Sequence, residues 1–159
     1  MEYYNSEGNF TEIDVYIANT IAESIGVSTN FISMPFDELF GALLGGKADI
    51  VASAVTITEE RQKTMTFSAP YMDTGLSIGV AENNQEIDGI GSLQGKSVGV
   101  LTGTTGEAYA NESTAIDNDL IQSYKDNEQR LDDLRNGKLD AAIVHFLATP
   151  SRTTRAGSQ

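Results

Sequence analysis

The sequence predicts an α/β fold of two similar lobes, in which helices cover largely parallel sheets. Helical periodicity and short apolar runs alternate along the chain, as in parallel sheets with helical connections. The apolar runs are continuous rather than alternating, which is typical of strands buried on both faces. A polar break at residues 82–88 separates two such series. We therefore place lobe 1 at residues 1–82, lobe 2 at residues 83–144 and a tail, unrelated or disordered, at residues 145–159.

The first half of the chain shows two helical periodicities, each followed by a short apolar run. Isoleucine recurs at every fourth residue from Ile13 to Ile25, which marks one apolar helix face. Glycine follows both periodicities, as expected where a helix ends. The predicted elements, in order, are a hairpin or loop at residues 3–11, a helix from Ile13 to Gly26, a strand at residues 30–34, a helix over Phe36–Leu44 and a strand at residues 50–55.

The second half repeats this alternation after the polar break. A turn rich in glycine and threonine, Thr102–Gly106, precedes a helix. This turn either exposes amide groups at the N-terminus of the helix or is an ordinary cap made by Thr104 or Thr105. The predicted elements are strands at 76–81, 97–101, 120–124 and 139–144, a helix that begins near Glu107, and a helix over Glu128–Asn136 that Gly137 ends.

A short internal repeat supports the two similar lobes. Gly46–Val51 (GKADIV) recurs as Gly137–Ala142 (GKLDAA), and both copies follow a predicted helix and open an apolar run. We interpret the two copies as equivalent junctions in the two lobes.

Composition excludes several classes of partner. The 159 residues contain 23 acidic and 10 basic side chains, for a formal charge of −13. Nucleic acids and anionic membrane surfaces are recognised through basic patches, so neither is expected as a partner. The chain has no cysteine and a single histidine, His145. We therefore predict no disulfide, no metal site and no cofactor.

The segment from Asp49 to Tyr71 has the residue types of an anion site. Its apolar run ends in hydroxyl-bearing residues and one arginine, Arg61. A guanidinium is a planar fork that matches a carboxylate, and threonine hydroxyls supply further donors. The alternative is a buried strand followed by an exposed loop, in which Arg61 pairs with Glu59 or Glu60.

This segment reads S-x-x-T-I-T-x-x-R from Ser53 to Arg61, followed by F-S-x-P-Y from Phe67 to Tyr71. It resembles the signature of the bacterial and archaeal extracellular solute-binding proteins of family 3, the polar amino-acid-binding components of ABC transporters. Leu93–Val100 resembles the L-K-G-K-x-V-G-V of the same family, and Ile13–Ala18 resembles its helix opening. The resemblance implies the periplasmic-binding-protein type II fold.

The resemblance also implies a function and a site. It implies non-catalytic binding of a small polar amino acid between two lobes, delivery to the membrane permease of an ABC transporter, and a periplasmic or extracellular location. Arg61 is expected to bind the α-carboxylate of the ligand together with Thr56 and the Gly103–Thr105 turn. The ligand-binding residues implied are Phe36, Ser53, Ala54, Thr56, Arg61, Thr104 and Thr105.

The sequence departs from the family pattern at three places. His145 stands where the family usually has an aspartate for the α-ammonium of the ligand, and we interpret it as part of an unrelated tail. The first strand of the family and the return of its chain to lobe 1 are not found. We therefore expect a chain truncated at both ends, with partial lobes. Exposed sheet edges in such a chain predict a homo-oligomer, for example a domain-swapped dimer.

Two other functions remain open from the sequence. One is a truncated or engineered fragment with weak ligand binding or none. The other is an enzyme on the same fold, such as a dehydratase of cyclic amino acids or an enzyme that cleaves cell-wall glycan. An enzyme needs a general acid or base in its cleft. The carboxylates near the motifs are those of Glu59, Glu60 and Glu107, which have the positions of helix-start residues.

Overall fold

Three helices precede the first strand in the computed structural model, which describes residues 13–145 and the backbone of residues 153–155. The chain forms two units. The first comprises Met1–Met34 and Glu38–Met72, and the second comprises Pro35–Asp37 and Asp73–Gln159. The division falls at residue 72 rather than at the predicted residue 82, because the strand that begins at Leu76 pairs with the sheet of the second unit. The hairpin or loop predicted at residues 3–11 lies outside the described residues.

The described part of the first unit contains helices and no strand. Helix α1 spans Ile13–Ser24, helix α2 spans Phe36–Leu44, and a single turn, α3, spans Glu59–Gln62. The helices α1 and α2 agree with the prediction from periodicity, and α3 was not predicted. Gly26 and Gly46 follow α1 and α2 with φ values of +75° and +68°, the left-handed conformation that often ends a helix.

Both strands predicted for the first unit are wrong. Residues 30–34 and 50–55 carry no strand in the structure. An apolar run becomes a strand only when a neighbouring segment completes its hydrogen-bonded ladder, and no ladder forms among residues 13–72. The predicted apolar face of α1 is exposed for the same reason, since no sheet covers it there. Ile13 is 52% exposed and Ile25 is 69% exposed.

The second unit contains a mixed sheet of five strands. The strands are β1 Leu76–Gly79, β2 Val98–Leu101, β3 Ile121–Tyr124, β4 Ala141–His145 and β5 Thr153–Arg155. Their order in the sheet is β3-β2-β4-β1-β5. Strand β2 pairs in parallel with β3 and β4, whereas β1 is antiparallel to both β4 and β5. The last strand, β5, lies in the segment that we had expected to be an unrelated or disordered tail.

Two helices pack on opposite faces of this sheet. Helix α4 spans Thr105–Glu112 and helix α5 spans Asn127–Arg135, and short 3₁₀ turns lie at Ile90–Leu93 and Asn118–Leu120. Ile143 of β4 packs in the larger apolar cluster, which contains Ala110 of α4. Val144, the next residue, packs in the smaller cluster with Leu134 of α5. This division follows from the alternation of side chains along a strand.

Gly99 of β2 lies against Leu139, which precedes β4, and against Arg130 of α5. A methyl group at this position would clash with Leu139 Cδ1 and would lie 3.2 Å from Arg130 Cγ. Leu139 is 3% exposed and Arg130 is 4% exposed, so neither side chain has open space into which to move. The close packing of Leu139 and Arg130 on β2 therefore requires glycine at residue 99.

We expect Gly99→Ala to lower the free energy of unfolding by about 1–3 kcal/mol, because it overpacks a filled site. Denaturant unfolding followed by circular dichroism measures the change. The matched control is Gly91→Ala, since a methyl group there meets no atom within 4 Å. We expect that control to change stability by less than about 0.5 kcal/mol. Equal effects of the two substitutions would contradict the close packing.

The two copies of the internal repeat end their helices in the same way. The N–H groups of Gly46 and Lys47 bind the carbonyl oxygens of Leu43 and Ala42 at 3.1 and 2.9 Å. In the second copy, Gly137 and Lys138 bind Leu134 and Asp133 at 3.2 and 2.9 Å. Only the second copy continues into a strand, which is β4.

Asp140 of the second copy joins β4 to the start of β2. Its Oδ2 accepts hydrogen bonds from the N–H and the hydroxyl of Ser97, both at 2.8 Å. These hydrogen bonds lower the pKa of Asp140. Because the carboxylate form makes the better acceptor, the ionised state of Asp140 stabilises the folded chain.

We expect the stability lost in Asp140→Asn to depend on pH. The folded-state pKa lies below the unfolded value of about 3.9, so the ionised carboxylate contributes its stability above about pH 4 and loses it as the pH falls through the folded-state pKa. The free energies of unfolding of parent and variant should therefore differ most near neutral pH and converge in acid. Urea unfolding at a series of pH values tests this. Asp49→Asn, at the matching position of the first copy, is the control, because no strand directly follows that copy among the described residues.

Candidate functional site

In the first unit, Arg61 lies on the single turn α3 and binds back to the segment before it. Thr58 is the N-cap of α3, and its hydroxyl oxygen accepts a hydrogen bond from the Arg61 N–H at 3.2 Å. The guanidinium of Arg61 donates through Nη1 to the carbonyl oxygen of Thr56 at 2.7 Å. It also lies over the ring of Phe40, 4.9 Å from the ring centroid. The structure thus brings Arg61 and Thr56 together, as the motif predicted.

The surroundings of Arg61 bear on both interpretations of the motif. The side chain is half-buried, and burial lowers its pKa while the charge of Glu60 raises it. A guanidinium nevertheless keeps its proton in proteins, so Arg61 provides a fixed positive charge. Its contacts with Phe40 and Thr56 hold this charge in place. The binding of an anion by Arg61 stays a prediction.

Ser53 and Ala54 lie a few residues before Thr56 and are half-buried. Ala54 has a φ of +46°, the left-handed conformation. This conformation costs a residue with a Cβ about 1–2 kcal/mol. The Ala54 N–H donates to Asp14 Oδ2 of helix α1 at 3.2 Å, and the hydroxyl of Tyr71 donates to Asp14 Oδ1. Burial, followed by the hydrogen bond to Asp14, raises the pKa of Tyr71.

In the second unit, Thr104 is the N-cap of α4, so the ordinary-cap interpretation of this turn is confirmed. Its hydroxyl oxygen accepts a hydrogen bond from the Glu107 N–H at 3.3 Å and donates to the carbonyl oxygen of Leu101 at 2.7 Å. The hydroxyl of Thr104 is therefore engaged within the turn. The expectation that it contacts a ligand gains no support from this geometry.

Thr105 begins α4 and contacts the end of β4. Its Oγ1 lies 3.3 Å from Nε2 of His145. The interpretation of His145 as part of an unrelated tail is wrong, because His145 is the last residue of β4 and pairs with Leu76 of β1. The apolar run by itself ends at Val144, but the family resemblance aligns His145 with the aspartate expected to bind the α-ammonium of the ligand. The first turn of α4 also presents N–H groups that the helix itself cannot satisfy.

The Gly103 N–H belongs to the turn that is expected to meet the ligand, and it is engaged within that turn. Gly103 N–H donates to Glu107 Oε2 at 2.8 Å, and the hydroxyl of Ser123 donates to Glu107 Oε1 at 2.7 Å. Glu107 lies in the first turn of α4, where a carboxylate also complements the helix dipole. The carboxylate of Glu107 thus closes the turn that carries Thr104 and Thr105.

Phe36 is the first residue of α2 and is half-buried. Its neighbours Pro35 and Asp37 are grouped with the second unit, where Asp37 Oδ2 lies 3.1 Å from Lys125 Nζ. Phe36 belongs to the second unit, and its contact with a ligand stays a prediction.

Two further classes of site receive no support from the described residues. Within residues 13–145, no group of three or more histidine, cysteine or acidic side chains is arranged to hold a metal ion. None of the helices in that range has the length and apolar character needed to span a membrane.

The α/β architecture and the S-x-x-T-I-T-x-x-R motif are those of solute-binding proteins of the periplasmic type. The chain belongs to the bacterial extracellular solute-binding proteins, family 3, whose family model matches residues 1–127. It is 34% identical over 147 residues to the histidine-binding periplasmic protein of Escherichia coli strain K12. That match covers 92% of this chain and 56% of the relative, so the chain spans about half the length of that curated relative.

Two solved structures show the same fold. An ancestral arginine-binding protein bound to arginine superposes with a TM-score of 0.85 at 28% identity, over 99% of this chain and 75% of that one. An ancestral amino-acid-binding protein, described as a precursor of cyclohexadienyl dehydratase, superposes with a TM-score of 0.80 at 30% identity, over 96% of this chain and 71% of that one. These similarities confirm the α/β fold of the periplasmic-binding-protein type.

We expect Glu107→Gln to lower the free energy of unfolding by about 1 kcal/mol, because it weakens two hydrogen bonds and removes a charge that favours the helix N-terminus. Glu112→Gln, at the other end of α4, is the matched control. Removing an acid from a helix C-terminus should leave stability unchanged or raise it by a few tenths of a kcal/mol, roughly. Thermal unfolding of the two variants measures both effects. A smaller loss for Glu107 than for Glu112 would contradict the role of Glu107 in this turn.

Proposed function

We propose that the chain binds a small polar amino acid without transforming it, as the substrate-binding component of an ABC amino-acid transporter. The observation that carries the proposal is the half-buried Arg61, held between the carbonyl of Thr56 and the ring of Phe40. A partly buried guanidinium in a fixed position is suited to bind a carboxylate, and every amino acid carries one at its α-carbon.

The local charge of Arg61 is significant in so acidic a protein. The formal charge of −13 opposes the approach of an anion, so a carboxylate can be attracted only where a cation is held in place. The same overall charge favours the approach of ligands with a positive charge elsewhere. This supports a zwitterionic amino acid, with its carboxylate on Arg61, over a simple anion such as a dicarboxylate.

The relatives suggest which ligands to test first. One binds histidine and another binds arginine, according to their names. Both amino acids have basic side chains, which would suit an acidic protein. We therefore propose basic amino acids as the first candidates. The periplasmic or extracellular location and the permease partner belong to the same proposal.

An enzyme on this fold has less support. It would need a carboxylate positioned for proton transfer. Among the acids near the motifs, Glu107 is occupied by Gly103 and Ser123, and Glu59 lies at the start of α3 with Glu60. The similarity to a precursor of a dehydratase concerns a protein that is itself described as amino-acid-binding.

The test is a calorimetric screen of the common amino acids against the parent and Arg61→Met. Methionine keeps an apolar side chain over Phe40 but removes the guanidinium. Loss of a buried charge partner costs about 2–5 kcal/mol, so we expect Kd to rise by a factor on the order of 100. Arg135→Met is the matched control, because Arg135 is exposed and pairs with Asp132 at 2.8 Å. We expect its Kd to equal that of the parent.

Two outcomes would contradict the proposal in different ways. If Arg61→Met binds as tightly as the parent, the carboxylate is bound elsewhere. If the parent binds no amino acid, the chain is a fragment without ligand binding, which is the alternative that the sequence left open. Formation of a product from a bound amino acid would instead support the enzyme.

A further inference from the structure

We infer that Asp14 is a positioning residue of the ligand site, which acts by holding Ala54 in its left-handed backbone conformation. This inference rests on the proposed function, because Ala54 and Thr56 are the residues by which the segment is proposed to contact an amino acid. Asp14 lies on α1 and contacts the segment from 40 positions earlier in the chain. No ligand contact is assigned to Asp14 itself.

The first step of the argument is the strained conformation of Ala54. Ala54 is the one residue other than glycine with a positive φ among the described residues. Residues with a Cβ avoid this region, and they remain there only where their surroundings impose it. The backbone at Ala54 determines the direction of the carbonyl of Ser53 and of the residues that lead to Thr56.

The second step concerns what imposes this conformation. Residues 50–55 are not a strand, so no ladder of backbone hydrogen bonds fixes them. The Ala54 N–H instead donates to Asp14 Oδ2 at 3.2 Å. A carboxylate acceptor makes this a charge-assisted hydrogen bond, which is stronger than one between neutral groups.

The third step is that Asp14 is itself fixed. Asp14 is 7% exposed, and its second oxygen accepts a hydrogen bond from the hydroxyl of Tyr71. It also lies in the first turn of α1, where a negative charge is favourable. Because both carboxylate oxygens of Asp14 are hydrogen-bonded, the position of Asp14 on α1 determines where the Ala54 N–H is held.

The segment is thus fixed at two points by side chains. Asp14 binds it at the Ala54 N–H, and Arg61 binds it at the Thr56 carbonyl. If the hydrogen bond from Ala54 to Asp14 is lost, Ala54 is free to relax to a negative φ. Binding then falls in proportion to the fraction of molecules that keep the competent conformation.

The experiment measures Kd for the tightest amino acid of the screen in four variants, at a temperature where all are folded by circular dichroism. They are Asp14→Asn, Ala54→Gly, the double variant, and Ala22→Gly. Glycine adopts positive φ without a steric cost, so it removes the need for Asp14 at residue 54. Ala22→Gly is the control, because Ala22 lies on the same helix, is buried, and is remote in sequence from the acid.

We expect Asp14→Asn to raise Kd about tenfold relative to the parent, equivalent to about 1.4 kcal/mol. In the Ala54→Gly background the same substitution should raise Kd less than about threefold, which is the rescue that a merely structural role would not produce. Ala22→Gly should lower the unfolding midpoint and leave Kd unchanged. If Asp14→Asn does not fold, Tyr71→Phe is measured instead, which removes the hydroxyl that binds Asp14 Oδ1 and that also hydrogen-bonds the backbone of Ala54. We expect it to raise Kd about threefold, and an unchanged Kd in that variant overturns the positioning role.

The measured Kd values distinguish a failure of the positioning role of Asp14 from a failure of the proposed amino-acid binding. Amino-acid binding that Asp14→Asn leaves unchanged overturns the positioning role and leaves the proposed function standing. An equal rise in Kd in both backgrounds also overturns it, since Asp14 would then act by a route other than Ala54. A parent that binds no amino acid overturns both proposals together.

Discussion

The second unit depends on strand β4, which is hydrogen-bonded on both edges and covered on both faces. It pairs in parallel with β2 and in antiparallel with β1, so it joins the two halves of the sheet. Its side chains alternate between the apolar clusters under α4 and α5. Because parallel strands place their carboxyl ends at the same edge, β4 also brings His145 to the turn that carries Thr105. The packing of the second unit and the position of Thr105 therefore depend on the same strand.

One charged side chain is buried against this strand. Arg130 of α5 is 4% exposed, donates to the Ile143 carbonyl at 2.7 Å through Nη1, and donates through Nη2 to Asn127 Oδ1. Burial lowers its pKa to about 10, and its Nε lacks a hydrogen-bond partner among the described residues. Removing a cation from water costs free energy, which hydrogen bonds to carbonyl oxygens offset only in part. An apolar side chain of the same volume at this position would often stabilise the fold more. Its hydrogen bond does hold the end of β4, two residues before His145.

The elements that depend on local sequence were predictable, and those that depend on distant pairing were not. Periodicity located α1 and α2, and apolar runs located β2, β3 and β4. The same reasoning failed at residues 30–34 and 50–55, since an apolar run shows nothing about whether a partner strand completes its ladder. The motif identified Arg61 and Thr56, which lie five positions apart. It missed the contact of Asp14 with Ala54 across 40 positions, because an acid in the first turn of a helix has an ordinary local explanation. Association through exposed sheet edges stays a prediction.

The two copies of the internal repeat have similar sequences but different structures, so they show which features depend on local sequence and which depend on strand pairing. Both copies end a helix with glycine in the left-handed conformation, and both continue into an apolar run. In the second copy β2 and β1 supply ladder partners, and the run becomes β4. In the first copy no ladder forms among the described residues, and Asp14 and Arg61 bind the backbone instead. A segment held by side chains is free to adopt conformations that a ladder would forbid, such as that of Ala54. This freedom suits a ligand site, and it makes the site depend on a few side chains far from it in sequence.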